Sequence, residues 1–521
     1  MTKTYDLIVI GTGSGNIVAE AALQAGKTVA LIEKSNLGGT CLNQGCIPTK
    51  ILLTPADIYR AAKHYQHIGL SFEDWRINWP TIRQRMREKV DQLRHDTKAF
   101  FNQQPNCTLY EGTAVFSQNQ PGKITEPEAL KHISINHSDG QITEIAAPTV
   151  VIAVGGQSRI LKLDGLLESD YWTSETFFNQ QLPKKLPDSI TIIGGADIGV
   201  EFAHFFHACG CKVHLIQHNI RLVPKQDEAI SEALYQAFKA QDIDVWLNQD
   251  TVCVNHQNGN VQLTFKDRKT GQLNQVESDK LFISAGIVSH APQLHPENIG
   301  LTLTPKGWIE TNEFLQTHVP GVYAVGDING LAQLRHKANY EAEIVAYNLY
   351  QRKENEPVRY ARYDAVPSAT FTYPQIGRVG MTEAEAKQDG RPVLIAKQPF
   401  SNVIKSFALG IEAGDIDEGF VKLIIDASSK QILGAHLIGH EAAILAQGLA
   451  WLMQTGDLPS AVRHPEIEWA KTAHWRSVQN QVRHIAPNQI EALTQTMTIH
   501  PALSEVVGWA PQHMQTPETN P

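Results

Sequence analysis

The chain has 521 residues, of which 42% are hydrophobic and 37 are glycine, with a formal net charge of −9. Its length predicts three or four domains of about 150 residues each, and its composition is that of a globular α/β protein. We find no basic run suited to nucleic acid and no apolar run of the roughly 20 residues that a membrane span needs. Six cysteines are too few for a secreted disulfide framework, so we expect a soluble cytoplasmic protein without nucleic-acid or membrane partners.

The first recognisable unit is a strand, a glycine turn, a helix and a second strand. Its predicted elements are a strand over 5–10, a turn with Gly11, Gly13 and Gly15, a helix over 17–25 and a strand over 28–32. Gly13 lets the backbone approach a pyrophosphate at the helix N-terminus, and Glu33 can accept hydrogen bonds from ribose hydroxyls. This segment therefore predicts a dinucleotide site, although Asn16 replaces the third glycine of the usual fingerprint.

The same pattern returns near residue 190. Its predicted elements are a strand over 190–193, a turn with Gly194 and Gly199, a helix over 200–209 and a strand over 212–216. Gln217 occupies the position where NAD sites usually carry an acid. Gln217 can hydrogen-bond a ribose 2′-hydroxyl, whereas His218, Arg221 or Lys225 can contact a 2′-phosphate. The pattern predicts a second dinucleotide site and leaves the choice between NAD and NADP open.

Two cysteines lie between these units. Cys41 and Cys46 are five residues apart at the predicted start of a helix, where the helix dipole favours thiolates. No second pair of ligands at zinc spacing follows Cys46, so we predict no metal site. We interpret the cysteines as a redox-active pair.

The segment around these cysteines also resembles that of a known family. GGTCLNQGCIPTK, at 38–50, is similar to the active-site segment of the FAD-dependent pyridine nucleotide–disulfide reductases, which include dihydrolipoyl dehydrogenase and mycothione reductase. Further similar stretches lie at 321–327, 336–338, 366–374 and 434–439. The resemblance implies a homodimer that binds FAD in the first unit and NAD(H) or NADP(H) in the second.

The resemblance also implies roles for individual residues. Electrons pass from the nicotinamide to FAD and then to a Cys41–Cys46 disulfide, with Cys46 against the flavin and Cys41 facing the substrate. Lys50 is expected near the flavin, paired with Glu201. Further implied contacts are Gly326 and Asp327 with FAD and Gly286 with the nicotinamide nucleotide.

A base must take the proton of the substrate-facing thiol, and two His-Pro pairs compete for that role. His500, with Glu505 five residues later, has the spacing and the flanking residues of the family, whereas His464 has not. We therefore expect His500 to act as the base and Glu505 to orient it, both in the active site of the partner subunit. The stretch 458–495 is then an insertion of unassigned role.

These expectations combine into one architecture. We predict an α/β fold with two doubly wound, Rossmann-like dinucleotide-binding domains and a C-terminal α+β dimerisation domain. The predicted boundaries are 1–150 for the FAD-binding domain, 151–282 for the NAD(P)-binding domain, 283–360 for the central return to the FAD side and 361–521 for the dimerisation domain.

The leading functional hypothesis is a dihydrolipoyl dehydrogenase-like enzyme that oxidises a dithiol, or a lipoyl group, with NAD. The alternative is an NAD(P)H-dependent reductase of a small disulfide, similar to mycothione reductase. A soluble transhydrogenase and a flavoprotein without catalysis are weaker alternatives. The sequence leaves open the physiological substrate, the nicotinamide preference and any service to a 2-oxo acid dehydrogenase complex.

Overall fold

The structure of the protein is a computed structural model. The residues it describes are 2–64, 68–71, 75–120, 124–179, 182–257, 259–354, 356–416, 418–429, 431–458, 483–485 and 495–500. Among these residues, no helix is long and apolar enough to cross a membrane.

The N-terminal part of the chain forms the first nucleotide-binding unit. Its strands are β1 (Lys3–Thr4), β2 (Leu7–Ile10), β3 (Val29–Glu33), β4 (Cys107–Glu111), β5 (Thr113–Phe116), β6 (Lys131–Asn136), β7 (Ile142–Ala147) and β8 (Thr149–Ile152). Its helices are α1 (Gly15–Gln24), α2 (Gly39–Gln44), α3 (Cys46–His64) and α4 (Trp79–Asn102). Both β2 and β3 are buried along their whole length, as expected for central strands of a parallel sheet that is covered on both faces.

The second nucleotide-binding unit follows. Its strands are β9 (Gly156–Ser158), β10 (Tyr171–Trp172), β11 (Ser189–Ile193), β12 (Lys212–Ile216), β13 (Asp244–Trp246), β14 (Gln249–Gln257), β15 (Asn260–Asp267), β16 (Leu273–Ser278), β17 (Lys280–Ile283) and β18 (Ile287–Ser289). Its helices are α5 (Ser174–Phe178), α6 (Asp197–Ala208) and α7 (Glu228–Ala240). Here β14, β15 and β16 form an antiparallel meander beside the main sheet.

The chain then returns to the first unit and ends in a third domain. The return supplies β19 (Val322–Ala324) and α8 (Arg335–Ala346). The strands of the last domain are β20 (Ser368–Thr370), β21 (Gln375–Gly380), β22 (Val393–Pro399), β23 (Phe420–Asp426), β24 (Ile432–Gly439), β25 (Gly456–Leu458) and β26 (Arg483–Ile485). Its helices are α9 (Glu383–Gln388), α10 (Ile404–Ala408) and α11 (Ala442–Gln454).

The strand order confirms the predicted fold class. The first unit is centred on a parallel sheet of order β19-β8-β2-β3-β4, and the second on a parallel sheet of order β10-β17-β11-β12-β13. The third domain is built on an antiparallel sheet of order β20-β21-β24-β23-β22, with α11 packed against β21 and β24.

The residues at which the chain passes between the two units differ slightly from the predicted boundaries. The strand β8, which the boundary at 150/151 divides, pairs with β2 over its whole length and so belongs to the first unit. The last strand of the second sheet, β17, pairs with β11 and ends at Ile283. The chain leaves the first unit through β9 and returns to it through β18, and these two strands form a short antiparallel pair.

Candidate active site

One cavity of about 620 Å³ collects most of the predicted functional residues. Those that line it are Gly11, Gly13, Glu33, Cys41, Cys46, Lys50, Glu201, Gly286, Gly326, Asp327 and His500. Four others, Gly15, Gly194, Gly199 and Gln217, lie outside its lining. Glu505 and the competing His464 lie outside the described residues.

The first glycine turn is shaped to bring the backbone against a bound group. Gly11 has a φ of +95°, and a Cβ there would lie 2.5 Å from the Ala153 carbonyl oxygen. Gly13 borders the cavity, and a Cβ there would meet nothing closer than 3.7 Å, so its backbone is open to a ligand. A Cβ at Gly15 would lie 2.7 Å from Val9, which shows that this glycine lets α1 pack onto β2.

Glu33 ties the end of β3 to this turn. Its Oε2 accepts hydrogen bonds from the Thr12 backbone N–H at 3.1 Å and from the Thr12 hydroxyl at 2.6 Å. Its Oε1 accepts from the backbone N–H of Ser35 at 3.1 Å. The glycine turn before α1, the carboxylate at the end of β3 and Asp327 opposite them are a donor and acceptor set that fits FAD.

The second glycine turn follows the same plan with a neutral side chain at its end. Gly194 has a φ of +112°, and a Cβ at Gly199 would lie 1.8 Å from the Gly194 carbonyl oxygen, so both glycines are required by the turn. Gln217 takes the place of the acid: its Oε1 accepts from the Gly195 N–H at 3.0 Å, and its Nε2 donates to the Arg221 carbonyl at 3.0 Å. The helix α6 begins at Asp197, three residues earlier than predicted.

The thiols lie at a break between two helices. Cys41 is on the short α2, Gly45 ends that helix, and Cys46 begins α3. Cys41 is buried and Cys46 is partly buried, and both carry free thiols in this structure. A hydrogen bond with Cys41 lowers the pKa of Cys46 to about 6, with Lys50 as the largest favourable charge. The same hydrogen bond and burial raise the pKa of Cys41 well above its usual value, so Cys46 holds the thiolate.

Lys50 and Glu201 join all three domains beside the thiols. Lys50 Nζ lies 2.9 Å from Glu201 Oε2 and over the ring of Phe371 at 4.5 Å. Glu201 Oε1 accepts from the Phe371 backbone N–H at 2.8 Å. The pair that the resemblance implied is thus formed between α3 and α6 and is fixed by the third domain.

His500 reaches the substrate-facing thiol. Its Nε2 lies 3.3 Å from Cys41 Sγ. The segment 495–500 lies along α11, where the Met497 N–H donates to Gln454 Oε1 at 3.0 Å and the Ile499 N–H donates to Gln447 Oε1 at 2.6 Å. Two glutamines two turns apart on α11 therefore hold the extended segment that presents His500.

A second histidine, which the sequence analysis did not single out for this purpose, supports His500. His336 Nε2–H donates to the Pro367 carbonyl at 2.7 Å, and Nδ1 accepts from the His500 backbone N–H at 3.3 Å. Burial lowers the pKa of His336 to about 4, so its ring is neutral and Nδ1 is free to accept. His336 is therefore a positioning residue for the chain that carries His500.

The contact between His500 and Cys41 lies within the single chain of this structure. The reason is local: residues 497 and 499 dock on α11 of the same chain, and α11 packs on the sheet next to Pro367. Action of His500 in the partner subunit, which the resemblance implies, stays a prediction.

A buried network supports the opposite wall of the cavity. Lys337 Nζ donates to the Gly326 carbonyl at 2.9 Å and lies 3.1 Å from Glu341 Oε2, both side chains being fully buried. Glu341 Oε2 also accepts from the Gly326 N–H at 2.7 Å. Burial raises the pKa of Asp327 to about 6. The network fixes the turn that carries Gly326 and Asp327 at the site where the resemblance places FAD.

Arg335 is a further cation at this site that the sequence analysis missed. It is the first residue of α8, it lines the cavity, and its Nη1 would lie 3.7 Å from a Cβ at Gly13. Its positive charge adds to the lowering of the pKa of Cys46 and partly opposes the rise in the pKa of Cys41. The preceding Leu334 and the following His336 gave no local pattern that marks the side chain as part of the site.

The thiols and the imidazole also form a group of ligating atoms. One atom each from Cys41, Cys46 and His500 lies within 4.8 Å of the others. We expected no metal site from the sequence, and the grouping arises because residues far apart in the chain meet here. Two sulfurs and one imidazole nitrogen are ligands that suit copper and zinc.

Taken together, two dinucleotide turns with a thiol pair between them define a flavin- and nicotinamide-dependent dithiol oxidoreductase. The profile of the pyridine nucleotide-disulphide oxidoreductases matches residues 5–342, and that of their dimerisation domain matches residues 366–463. The chain belongs to this family, and it is a disulfide oxidoreductase that uses FAD and NAD(P)H. The dimerisation domain supports the predicted homodimer.

Individual relatives cover nearly the whole chain. Dihydrolipoyl dehydrogenase of Chlamydia trachomatis serovar D is 32% identical over 483 residues, 91% of this chain and 97% of that protein. Mycothione reductase of Mycobacterium tuberculosis is 30% identical over 510 residues, 97% of this chain and 98% of that protein. The HOCl-induced flavoprotein disulfide reductase RclA of Escherichia coli superimposes with a TM-score of 0.71 at 27% identity, covering 86% and 93%. A Cu(II) complex of RclA gives the same TM-score at 25% identity, covering 97% and 98%.

Proposed function

We propose that the protein transfers two electrons between a dithiol and NAD through FAD and the Cys41–Cys46 pair, with dihydrolipoamide as the leading dithiol. In that direction dihydrolipoamide and NAD⁺ give lipoamide, NADH and a proton. The observation that carries the proposal is the 3.3 Å contact between His500 Nε2 and Cys41 Sγ beside a second thiol of low pKa. FAD, when bound, supplies the two-electron link between nicotinamide and sulfur.

The two thiols have different tasks in this proposal. With the pair reduced, His500 takes the proton of Cys41, whose thiolate attacks one sulfur of a substrate disulfide. The first substrate thiol leaves with the proton that His500 returns. Cys46, already a thiolate near neutral pH because its pKa is about 6, then attacks Cys41 and releases the second substrate sulfur as a thiolate, which takes a proton from solvent. The products are a Cys41–Cys46 disulfide and a substrate dithiol, and the reverse sequence oxidises a dithiol.

An NAD(P)H-dependent reduction of a small disulfide, as in mycothione reductase, uses the same steps in the opposite overall direction. The relative of that name covers 97% of this chain, somewhat more than the dihydrolipoyl dehydrogenase. The two readings differ in substrate and not in the groups that act on sulfur. A transhydrogenase or a non-catalytic flavoprotein would not need the thiol pair and His500 in contact.

The test is a pair of anaerobic assays on the purified flavoprotein. Dihydrolipoamide with NAD⁺ should give NADH, and Cys46→Ser should abolish it while FAD stays bound. If dihydrolipoamide fails and NADH or NADPH reduces the thiol pair, the reductase reading replaces the first. If neither reductant raises the number of titratable thiols by two per chain over the oxidised protein, the proposed function is wrong.

A second candidate function, copper reduction, is favoured by the ligand group of Cys41, Cys46 and His500 and by the Cu(II) complex of the related RclA. Two Cu²⁺ ions would take one electron each from the Cys41 thiol and the Cys46 thiolate, giving two Cu⁺, one disulfide and one proton. Anaerobic titration of the reduced protein with Cu²⁺ and a Cu⁺ chelator should yield two Cu⁺ per chain. Equal yields from Cys46→Ser would exclude the pair as the electron source.

We further propose that the protein acts in the cytoplasm as a homodimer. Six cysteines in 521 residues are too few for a secreted disulfide framework, which supports this location. Whether His500 serves its own chain or the partner, as the resemblance implies, is tested by the mixed dimers described in the Discussion.

A further inference from the structure

The end of the second nucleotide-binding sheet carries a cluster of charged side chains that the reaction at sulfur does not use. It consists of His218, Asp250 and Arg268 and is called the ribose-end cluster below. His218 Nδ1 lies 2.9 Å from Asp250 Oδ1, and Arg268 Nε lies 3.5 Å from the same oxygen. Arg268 Nη1 also donates to the His218 carbonyl at 3.4 Å.

The position of the cluster follows from the sheet. His218 comes two residues after β12, where a dinucleotide site receives the adenosine ribose. Asp250 is the second residue of β14, and Arg268 follows β15 directly. The meander therefore brings an arginine to the ribose end that lies 50 residues from His218 in sequence.

Gln217 is neutral, so this position lacks the carboxylate that would repel a phosphate. A carboxylate there binds the 2′-hydroxyl of NAD and repels the 2′-phosphate of NADP. Gln217 is uncharged and 3% exposed, and both polar atoms of its amide already bond backbone groups of the turn. It braces the turn without presenting a negative charge to the ribose.

The hydrogen-bond donors around this position are exposed and share few acids. The side chains of His218 and Arg268 are 60% and 42% exposed, and they share the one carboxylate of Asp250. Nearby, Arg221 Nη1 lies 3.7 Å from Glu228, a distance of weak pairing on an exposed surface. Guanidinium and imidazole N–H groups are the donors that phosphate oxygens accept from most readily.

We propose that the second site accepts NADPH as well as NADH, with the 2′-phosphate bound by His218 and Arg268. The inference rests on the use of a nicotinamide nucleotide, which the proposed function shares, and not on the identity of the disulfide. Asp250 limits the preference, because it competes with the phosphate for both donors. Glu228 restrains Arg221 in the same way. The enzyme is therefore a weakly discriminating one and not a strict NADP enzyme.

The test separates binding from turnover by using fragments of the nucleotides on the FAD-loaded protein. Calorimetry with 5′-AMP and 2′,5′-ADP should give dissociation constants within about tenfold of each other. Gln217→Glu should weaken 2′,5′-ADP by about tenfold or more without weakening 5′-AMP. Asp250→Asn should tighten 2′,5′-ADP by about threefold to tenfold, because it removes the carboxylate that competes with the phosphate for both donors.

Variants of Arg268 test the phosphate contact more specifically, because they should affect 2′,5′-ADP alone. Arg268→Ala should weaken 2′,5′-ADP about fivefold and leave 5′-AMP unchanged, and Arg268→Lys should restore part of the loss. Glu232→Gln, which removes an exposed acid elsewhere on α7, should leave both ligands unchanged. Binding of 2′,5′-ADP more than about 100-fold weaker than 5′-AMP, or equal losses of both ligands in Arg268→Ala, would overturn the proposal. Neither result depends on disulfide turnover, so failure here is distinct from failure of the proposed function.

Discussion

Each nucleotide-binding unit has a glycine turn that is held by a side chain at the end of the second strand, and the two units differ in that side chain. In the first unit the carboxylate of Glu33 holds the turn through Thr12 and is 8% exposed. In the second unit the amide of Gln217 holds the turn through Gly195 and is 3% exposed. Both side chains brace a glycine turn, but only the first adds a negative charge. The bracing role therefore does not require an acid, and the charge is a separate property that concerns the ribose.

The units also differ in what lies beyond the turn. After β3 the chain continues into α2 and α3, which bring the thiols to the cavity wall of the first unit. After β12 the chain passes to the exposed ribose-end cluster. A buried acid and reactive thiols are suited to a cofactor that stays bound, whereas a neutral brace and exposed cations are suited to a nucleotide that exchanges.

The largest expected effect comes from removing the thiol that belongs to the first unit. Cys46→Ser should lower disulfide or dithiol turnover by about 10³-fold or more, because no second sulfur remains to resolve the mixed disulfide. The matched control is Cys209→Ser in the second unit. Burial raises the pKa of the Cys209 thiol, so this thiol is unreactive near neutral pH. The measurement is steady-state turnover at constant flavin content. Comparable losses in both variants would show that the sulfur chemistry is not confined to the first unit.

The next effect concerns the base. His500→Ala should slow turnover by about 10²-fold, which is what a positioned proton acceptor contributes. The loss should be largest at low pH, where Cys41, whose pKa is raised, depends most on a base to become a thiolate. His464→Ala should change turnover little, and equal losses in the two variants would refute the choice of His500.

Mixed dimers decide which chain His500 serves. One subunit carries Cys46→Ser and the other His500→Ala, and the two are separated from the parents by different affinity tags. If His500 acts in its own chain, as the 3.3 Å contact with Cys41 indicates, neither site is complete and activity is lost. If His500 acts in the partner, one site is complete and about half of the activity remains.

Local pattern predicted both turns well, because each depends on residues close together in sequence. The strands 190–193 and 212–216 were predicted to within one residue of β11 and β12. The start of α6 was missed because its first turn, Asp197 to Gly199, has the composition of a loop although its backbone is already helical.

The rest of the site could not be predicted from local pattern, because it depends on contacts between distant segments. His500 and Cys41 are 459 residues apart; their partnership was expected only from the family resemblance, and the docking of 495–500 on α11 brings them together. Arg268 reaches the second unit's ribose end through the meander, and Arg335 reaches the first turn through α8. Each of these two arginines reaches its site because of the fold, and the residues next to it in sequence do not indicate that position.

The comparison can be tested directly by giving the first turn the neutral side chain that the second turn has. Glu33→Gln keeps the size of the side chain and removes its charge, so it should weaken FAD binding by about tenfold, the loss expected when a charged hydrogen bond becomes neutral. The measurement is the FAD dissociation constant of the apoprotein by flavin fluorescence. Glu88→Gln, on the exposed face of α4, is the control. Unchanged FAD affinity in Glu33→Gln would mean that the brace, and not the charge, is what the first site uses.

The smallest effect concerns Arg335, which adds a positive charge beside the thiols from the start of α8. The pKa of Cys46 is about 6 against an ordinary value of 9.0, so its thiolate is present above about pH 6 and is lost as pH falls below it. Arg335 contributes to this lowering after the hydrogen bond from Cys41, Lys50 and His500. Arg335→Ala should therefore raise the pKa and slow alkylation of Cys46 by iodoacetamide about twofold to threefold near pH 6, with no change near pH 9.

The matched variants separate charge from packing at Arg335. Arg335→Lys should keep the parent pH profile, since it keeps the charge, and Arg85→Ala on α4 should have no effect. Mass spectrometry of the labelled peptide gives the rate for Cys46 alone, with and without FAD bound. A slowing that persists unchanged at pH 9 would mean that Arg335 shapes access to the thiol and does not act through its charge. The thiolate would then depend on the Cys41 hydrogen bond, Lys50 and His500 without help from α8.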